Sequence, residues 1–497
     1  NIGSDEQEIQ MRHLADLIHG LVENDESKIH IIDNPQEVYS KKADPQRRCP
    51  DLTKIRTLIG YNPKVSLVQG LKRFIAWAKE ELNSQGLLIK YERNCRICDN
   101  ADLKKVLSLG KTPLANNLIS EKDIDKEELF PLELMYCNKC HLCQLSYVTP
   151  PEKLFQHYVY VTSTTDTFQQ HFTRMTEKII QQFSLNSSSL VVDIGSNDGL
   201  MLKYFKDHGV RVIGVEPAEN IASLARNNGI DTISEFFNES VIHDIIRIKG
   251  KADIVTANNV FAHVGNIKEL TNNVKLLLKP DGVFMIEVQY LVDTIQKLTF
   301  DNIYHEHLSY FNIHSLSEFF SRNEMEIFNV EHQDSHGGSI RVFIQKKGSG
   351  HPLDISVKGA LEYEKKAGID KIETYEKFAE QVYAIKNKFQ SFIKTLRANN
   401  KKIIGYGAPA KATTFLNFCG IDKNSIEYII EDNTLKQGLI VPGVKIPIVG
   451  KEHAEKNPPD YITILAWNFA DEIMKKNAHQ SQRGAHFIIP LPEPRIV

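Results

Sequence analysis

The stretch SLVVDIGSNDG at 189–199 constrains the fold more than any other part of this chain of 497 residues. Its apolar first half is typical of a buried β-strand. Its second half is a turn marked by Gly195 and Gly199, and a helix is predicted from Leu200. Glycine lets the backbone approach a ligand closely and take positive φ. The stretch therefore predicts one edge of a parallel α/β sheet where a ligand binds.

Further short apolar segments alternate with helical periodicity across residues 151–345. This alternation predicts a doubly wound α/β sheet with crossover helices. The predicted strands are Leu190–Ile194, Arg211–Val215, Ile254–Ala257 and Val283–Val288. The second strand ends in Gly-Val-Glu-Pro, so Glu216 lies at its carboxyl end, where a carboxylate commonly binds ribose hydroxyls. The glycine spacing is not GxGxxG and no GxxxxGK[ST] motif occurs, which disfavours an NAD site and excludes an ordinary P-loop.

Five of the seven cysteines lie between Cys95 and Cys143, and four of them form two CxxC pairs. Each CxxC turn presents two thiolates on one side of a tight loop, and tetrahedral zinc takes four such ligands. We predict a structural zinc ion bound by Cys95, Cys98, Cys137 and Cys140. Cys143 is expected to fill the core, and the alternative for the pairs is redox-active or merely buried thiols.

Histidines and tyrosines cluster downstream of the predicted sheet, in Tyr304-His-Glu-His-Leu-Ser-Tyr310, with His263 and His336 in two other segments. One HxH with one Glu is an incomplete metal site, so general acid–base chemistry fits better. The alternative is that individual histidines are satisfied in the core or at the surface.

A second αβ pattern occupies residues 399–497, and the charged, helix-periodic stretch before it predicts a helical connector. Gly405-Tyr-Gly-Ala-Pro-Ala-Lys411 has the order strand, turn, helix, and Glu431 follows the next strand. Backbone amides at such a turn, together with Lys411, could bind a diphosphate. The alternative is a glycine turn that only lets the helix pack closely on the sheet.

The 60 Lys and Arg nearly balance the 63 Asp and Glu, for a net charge of −3. This balance disfavours a nucleic-acid partner, and no apolar run approaches the ~18 residues of a membrane-spanning helix. An odd cysteine count in CxxC pairs disfavours secreted disulfides. We therefore expect a cytoplasmic protein, as a monomer or homodimer, with no membrane or nucleic-acid partner.

D-I-G-S-N-D-G followed by V-E-P resembles the first two motifs of class I S-adenosylmethionine-dependent methyltransferases. More broadly, residues 95–497 are similar to the nucleotide-sugar C-methyltransferases, through "CRICDN", "LSLGKTPLANN", "CNKC", "ANNVFAHV", "FDNIYHEHLSYF", "SHGGSIRVF" and "IIGYGAPAKATTFLN". His141 and Cys143 stand where the family pattern leads us to expect small or apolar residues.

The resemblance implies a fold of three parts: an N-terminal zinc-binding module, a class I methyltransferase sheet and a C-terminal Rossmann-like α/β domain that binds the nucleotide sugar. The expected boundaries are 91–150 for the zinc module, 151–345 for the methyltransferase domain, 346–398 for the connector and 399–497 for the C-terminal domain. The expected cofactors are S-adenosylmethionine and structural Zn²⁺.

The implied chemistry begins with removal of the C3 proton next to a 4-keto group. His307 is the expected base, oriented by Glu306, with Tyr304 and His263 stabilising the enolate oxygen; Tyr304 itself is the alternative base. Tyr158 or Tyr160 is expected to close over the substrate. The expected cofactor-binding residues are Asp193, Gly195, Asn197, Gly199, Glu216 and Asn258, with Phe236 or Phe237 beside the adenine. The expected substrate-binding residues are His336, Gly405, Gly407, Lys411 and Glu431.

Residues 1–84 resemble something else. "ADPQRRCPDL" followed by "LIGYNPKVSLVQGL" is similar to the C-terminal tail of extended short-chain dehydrogenase/reductases that act on nucleotide sugars. That family's NAD loop and catalytic Tyr/Lys are absent here, so we expect a remnant, a chain that is a fragment, and a possible fusion to an upstream reductase domain.

Two rival functions remain open at this point. One is methylation of an amine or hydroxyl of a nucleotide sugar. The other is a zinc-ribbon interaction module that carries a degenerate methyltransferase.

Overall fold

The computed structural model describes residues 92–150, 153–154 and 166–497 and, of the first 91, residues 13–14, 17–18, 21, 52–60, 62 and 64–84. The chain divides into two compact units, Asn1–Ile89 and Lys90–Val497. In the first unit, α1 spans Thr53–Ile59 and α2 spans Leu67–Ser84. Helix α1 ends at Gly60, whose φ of 63° is the left-handed conformation that glycine adopts without strain. Among the described residues, no helix has the length and apolar character needed to cross a membrane.

The second unit begins with the zinc module, whose strands form an antiparallel meander. Its strands are β1 (Leu103–Thr112), β2 (Phe130–Cys137) and β3 (Cys143–Leu145). The two cysteine pairs lie at its end, in tight turns where Asp99 and His141 take positive φ of 58° and 59°. Such left-handed residues reverse the chain sharply enough to bring the two thiols of each pair to one side.

The central domain is a sheet with helices on both faces, as the alternating pattern predicts. Its elements are α3 (Asp166–Gln182), β4 (Leu190–Ile194), α4 (Leu200–Asp207), β5 (Arg211–Val215), α5 (Glu219–Asn227), β6 (Thr232–Ile233), α6 (Glu239–Lys249), β7 (Ala252–Asn258), α7 (Ile267–Leu277), β8 (Leu278–Gln289), α8 (Leu291–Gln296), β9 (Ser309–Tyr310), α9 (Ile313–Arg322), β10 (Met325–Gln333) and β11 (Ser339–Lys346).

The strand order of this sheet is β10-β11-β8-β7-β4-β5-β6. Strands β4 to β8 run parallel, and β11 pairs antiparallel with β8. All four predicted strands are confirmed. Because helices cover both faces, β4 is buried along its whole length, which explains its unbroken apolar sequence. The order reverses beside β4, so the loop after β4 lies at the switch point where such sheets bind ligands.

A helical pair leads to the last domain. The elements are α10 (Ile355–Ala367), α11 (Ile372–Ala398), β12 (Ile403–Tyr406), α12 (Ala410–Cys419), β13 (Ile429–Ile430), β14 (Ile440–Val441), β15 (Ile446–Val449), α13 (Glu452–Lys456), β16 (Tyr461–Ile464), α14 (Ala470–Lys476), α15 (Ala478–Gln482), β17 (His486–Ile489) and β18 (Arg495–Ile496). The sheet order is β14-β15-β13-β12-β16-β17-β18, with a parallel centre and antiparallel edges.

Residues 300–310, which we call the catalytic segment, touch all three parts of the second unit. At its end, β9 pairs with β3 and so becomes the fourth strand of the zinc-module sheet. At its start, Phe300 packs against Phe415 and Phe418 of α12. The position of this segment therefore depends on the zinc module and the C-terminal domain as well as on the central sheet.

Candidate active site

A cavity of about 1030 Å³ lies between the carboxyl ends of the central strands and the C-terminal domain. Residues of the central domain, the catalytic segment and the C-terminal domain line it, and the zinc module contributes Asn116. Fourteen of the residues predicted for the site line it: Asp193, Gly195, Asn197, Glu216, Asn258, His263, Tyr304, His307, His336, Gly407, Lys411, Glu431 and both candidates for the adenine contact, Phe236 and Phe237.

The glycine loop after β4 forms one wall. Gly195 has a φ of 65°, and a Cβ there would lie 2.5 Å from Val260 Cγ2, so only glycine fits. Asp193 is buried and accepts a hydrogen bond from Thr256 Oγ1 at 2.6 Å. Burial raises the pKa of Asp193 to about 7, although the Thr256 bond opposes the shift. The Asp193 carboxyl is therefore partly ionised at neutral pH, and a cationic ligand would stabilise its ionised form.

Glu216 fixes the shape of the loop as well as lining the cavity. Its carboxylate accepts hydrogen bonds from the backbone N–H of Asn197 at 3.0 Å and of Ala218 at 2.9 Å. Burial raises the pKa of Glu216, and the two backbone bonds partly offset this. Gly199 lies behind the wall: it precedes α4 with a φ of 78°, and its Cα faces Ile230 and Ala225. Gly199 is not among the residues that line the cavity, and its contact with the cofactor stays a prediction.

Two buried oxygen atoms beside this loop, Asn258 Oδ1 and Ser196 Oγ, have no hydrogen-bond partner among the described residues. Asn258 is fixed by its amide, since Nδ2 lies 3.1 Å from Met201 Sδ. Buried acceptors are normally satisfied, so these atoms indicate a bound polar ligand. S-adenosylmethionine carries ribose hydroxyls, an amino acid and a positive sulfonium. The ionisable carboxyls of Asp193 and Glu216, the open space at Gly195 and the unsatisfied oxygens together fit these groups.

His307 forms the opposite wall and is buried apart from the part that lines the cavity. Its Nδ1 lies 2.7 Å from the carbonyl oxygen of Asn302, and because a carbonyl only accepts, Nδ1 carries the proton. Burial and the nearby His263 lower the pKa of His307 well below 6.5. The imidazole is therefore neutral at pH 7, and its Nε2 carries the lone pair.

Aromatic and imidazole rings surround that nitrogen. The ring of Tyr304 lies 3.9 Å from that of His307, and His263 stacks on the other side at 5.0 Å. Burial lowers the pKa of His263 to about 4, and burial with the charge of Lys411 does the same for His336. The three histidines are thus neutral together, which lets them lie close without charge repulsion.

Glu306 is placed differently from the prediction. The Asn302 carbonyl, and not Glu306, orients the imidazole of His307. Glu306 is not among the residues that line the cavity, and its Oε1 accepts a hydrogen bond from Asn116 Nδ2 at 2.7 Å. The backbone explains this: a turn closed by the bond from His307 N to Tyr304 O directs Tyr304 and His307 to the cavity and the residues between them away from it.

Lys411 lies in the first turn of α12 and provides a buried cation on the C-terminal wall. Its Nζ bonds Asn468 and lies 4.3 Å from the ring centre of Trp467. Burial lowers the pKa of Lys411 to about 8, and the carboxylate of Asp301 opposes the shift. Trp467 Nε1 in turn donates to Asp301 at 2.6 Å, which links this wall to the catalytic segment.

The neighbouring turn of the C-terminal domain is held by Glu431, which accepts from the backbone N–H of Ala408 at 2.8 Å and of Asn433 at 2.9 Å. Gly407, with a φ of 82°, lines the cavity. Gly405 lies within β12, where a Cβ would lie 2.7 Å from Ile429 Cγ1. Gly405 is not among the residues that line the cavity, and its contact with substrate stays a prediction.

The four predicted zinc ligands come together as a closed, buried set. Their Sγ atoms all lie within 4.8 Å of one another, with 3.3 Å between Cys95 and Cys140 and 3.5 Å between Cys98 and Cys137. Four thiolates at this spacing fit tetrahedral zinc and fill its coordination shell, so the ion would be structural. Cys143 is buried in β3 beside the cluster.

Tyr158 and Tyr160 lie outside the described residues. The structure adds residues that the sequence did not single out: Asn116, Asn302, Trp467 and Lys436, whose buried Nζ donates to the carbonyl of Ala408 at 2.9 Å. Asn116 and Asn302 lie within the quoted stretches LSLGKTPLANN and FDNIYHEHLSYF, but residue type alone did not assign them a role.

Three protein-family models match this chain. They are described as a zinc binding domain over residues 95–155, a methyltransferase domain over 168–329 and a C-methyltransferase C-terminal domain over 334–492. The C-methyltransferase NovU of Streptomyces niveus is 38% identical over 404 residues, which is 81% of this chain and 96% of NovU.

A second relative is UDP-glucuronic acid decarboxylase 1 of Xenopus tropicalis, 31% identical over 109 residues, covering 17% of this chain and 26% of that enzyme. Among solved structures, magnesium protoporphyrin IX methyltransferase from Synechocystis PCC 6803 with bound SAH matches 36% of this chain and 83% of its own, with 13% identity and a TM-score of 0.29. A methyltransferase from Clostridium acetobutylicum matches 37% and 94%, with 10% identity and a TM-score of 0.30.

Proposed function

The chain belongs to the C-methyltransferase family that includes NovU, and from this membership we propose that it methylates a carbon next to the ketone of a nucleotide-diphosphate sugar. It is an S-adenosylmethionine-dependent methyltransferase with a zinc-binding module. The observation that carries the proposal is the neutral His307 in the cavity, with its proton fixed on Nδ1 by the Asn302 carbonyl.

His307 Nε2 is the proposed base. A hydrogen on a carbon next to a ketone is acidic only if the enolate formed is stabilised, and the base needs a lone pair aimed at that hydrogen. Nε2 takes the proton, the C–H electron pair becomes the enolate, and the positive charge that develops on His307 is spread to the Asn302 carbonyl through Nδ1–H. The Tyr304 hydroxyl and His263 are the proposed donors to the enolate oxygen.

S-adenosylmethionine supplies an electrophilic methyl carbon. The enolate carbon forms a bond to that methyl as the S–CH₃ bond breaks and its electron pair stays on sulfur. Asp193, Glu216 and Asn258 would hold the cofactor's amino-acid and ribose groups, because they surround the glycine loop with unsatisfied or ionisable oxygens.

The diphosphate of the substrate is proposed to lie against Lys411 and the turn that carries Gly407. The N-terminus of α12 adds backbone N–H groups and a favourable dipole for an anion. Lys411 is buried and still mostly protonated at pH 7, so its charge acts in a low dielectric where attraction for phosphate is strong. His336 lines the same wall and would contact the sugar.

Product analysis tests the proposal. The enzyme is incubated with S-adenosylmethionine carrying a ¹³C methyl and a panel of 4-keto nucleotide sugars with and without an amino group. We expect a ¹³C–¹³C or ¹³C–C–H coupling pattern that places the label on carbon. A label on nitrogen or oxygen would replace this proposal by the N- or O-methyltransferase alternative, and no transfer to any sugar would support a degenerate methyltransferase.

Residues 1–84 are proposed to be a remnant of a nucleotide-sugar-modifying reductase or decarboxylase. The pattern ADPQRRCPDL and the similarity to UDP-glucuronic acid decarboxylase 1 support this origin. Joined to a sugar methyltransferase, such a segment suggests that consecutive steps on one nucleotide sugar are linked. We also propose that the enzyme works in the cytosol, because none of the cysteines among the described residues forms a disulfide.

A further inference from the structure

Asn116 belongs to the zinc module, and yet its side chain lines the cavity that contains His307. Its Nδ2 donates to Glu306 Oε1 at 2.7 Å, across 190 positions of sequence. Glu306 is only 2% exposed and Asn116 is half-buried, so this hydrogen bond to a carboxylate is partly shielded from water. Such charge-assisted bonds are about twice as strong as neutral ones. The bond joins the zinc module to the middle of the catalytic segment.

The turn that carries Asn116 is itself fixed by the C-terminal domain. Thr413 Oγ1 donates to the carbonyl of Ala115 at 2.8 Å, and both atoms are buried. A little further on, Ile119 and Ile440 exchange two backbone hydrogen bonds of 3.0 and 2.8 Å. The backbone is therefore hydrogen-bonded to the C-terminal domain both before and after Asn116, at Ala115 and Ile119. These bonds fix the position from which Asn116 contacts Glu306.

Other contacts also hold the catalytic segment to the zinc module, on either side of Glu306. His305 Nε2 lies 3.2 Å from the carbonyl of Pro131, and Leu145 N donates to the carbonyl of Leu308 at 3.0 Å. Glu306 sits inside the turn closed by His307 N and Tyr304 O. A shift of the Glu306 carboxylate therefore rotates the turn that aims Tyr304 and His307 into the cavity.

Lys436 adds a second reason for Glu306 to stay in place. Its buried ammonium is stabilised by the charges of Glu431 and Glu306, which oppose the lowering of its pKa by burial. Asn116 and Lys436 thus both favour one position of the Glu306 carboxylate. Of the two, Asn116 is the one with a hydrogen bond to the carboxylate among the described contacts.

We propose that Asn116 is a positioning residue for proton abstraction: by fixing Glu306, the zinc module sets the orientation of Tyr304 and His307. This inference rests on the proposed function. It makes the zinc module part of the catalytic apparatus, with a contribution to the chemical step and none to cofactor binding.

The test compares Asn116→Ala with Asn117→Ala, its exposed neighbour, in the zinc-loaded chain of residues 1–497. A displacement of about 1 Å at a reacting group costs on the order of a hundredfold in rate. We expect Asn116→Ala to lose about tenfold to a hundredfold in kcat for methyl transfer and in solvent deuterium uptake beside the ketone without cofactor. The Kd for S-adenosylmethionine and the zinc content should stay unchanged, and Asn117→Ala should match the wild type.

A double-variant cycle separates positioning from general destabilisation. Asn116 acts through Glu306, so Asn116→Ala combined with Glu306→Gln should be about as slow as the slower single variant, whereas independent effects would multiply. If Asn116→Ala fails to fold, Asn116→Ser takes its place in the cycle. Multiplicative losses, wild-type deuterium uptake in Asn116→Ala, or a loss matched by weaker cofactor binding would overturn the inference. Absence of uptake in the wild type would overturn the proposed function itself.

Discussion

Replacing His307 by Gln removes the lone pair that we assign to proton abstraction while retaining a side chain of similar size. General-base catalysis contributes about 10² to 10⁴ in rate, which corresponds to about 3–5 kcal/mol of transition-state stabilisation. His307 is deeply buried and its neutral form is favoured, so at pH 7 the whole enzyme population carries the base and the full factor should be lost. We therefore expect kcat to fall by about three orders of magnitude.

The assay is methyl transfer from labelled S-adenosylmethionine, followed from pH 5 to 9. Because the pKa of His307 is lowered, the base is protonated only as pH falls through a value well below 6.5. With cofactor and sugar both saturating, so that the titrations of Asp193 and Lys411 do not limit binding, the wild-type kcat should thus be flat from pH 9 to near 6.5. If Tyr304 is the base instead, the rate should rise with pH toward the phenol pKa of about 10.

The matched control is His305→Gln. His305 is another buried imidazole of the same motif, but its Nε2 faces the Pro131 carbonyl and it lies outside the cavity lining. We expect it to lose stability but less than about tenfold in kcat, since it bears no reacting proton. Equal losses in His305→Gln and His307→Gln, or a wild-type rate in His307→Gln, would refute the assignment of the base.

Three other predictions concern the cofactor loop, the zinc module and the first unit. The affinity for S-adenosylmethionine should rise with pH through about 7, because Asp193 ionises and attracts the cation. Asp193→Asn should bind the cofactor about tenfold to a hundredfold more weakly and without this pH dependence; calorimetry that finds the same dependence of affinity on pH in both proteins would contradict this. Chelation of zinc should abolish turnover more than cofactor binding, because β3 supports β9 of the catalytic segment; restored turnover on adding zinc checks it, and an unaffected kcat argues against it. A chain of residues 90–497 should retain kcat within about twofold, because residues 1–89 form a separate compact unit; a large loss of kcat would show that the first unit takes part in catalysis.

The cofactor half of the site was predictable from sequence because it is local. The strand, the glycine turn and Glu216 lie within 28 consecutive residues, 189–216, and the burial of the parallel strands leaves an unbroken apolar signal. The zinc ligands were predictable for the same reason, since each CxxC pair is a single turn. In both cases the residues that bind the ligand lie a short distance apart in the sequence.

The catalytic half was less predictable because tertiary contacts decide it. Because Glu306 is adjacent to His307 in sequence, we expected it to orient the His307 imidazole. The turn between Tyr304 and His307 instead directs the neighbouring side chains of Glu306 and His307 to different sides of the turn. The true partner of the imidazole is a backbone carbonyl, which leaves no trace in residue identity. Asn116 and Lys436 come from distant segments, and without structure nothing in the sequence marks them as neighbours of Glu306.

The central claim is that the enzyme makes a carbanion beside a ketone, and hydrogen exchange measures that step directly. The chain of residues 1–497 is incubated in D₂O with a 4-keto nucleotide sugar that it methylates, with S-adenosylmethionine withheld, and the sugar is followed by proton NMR. We predict that the signal of the hydrogen next to the ketone disappears with wild-type enzyme and persists with His307→Gln. A substrate that is methylated at full rate but never exchanges that hydrogen would contradict the account.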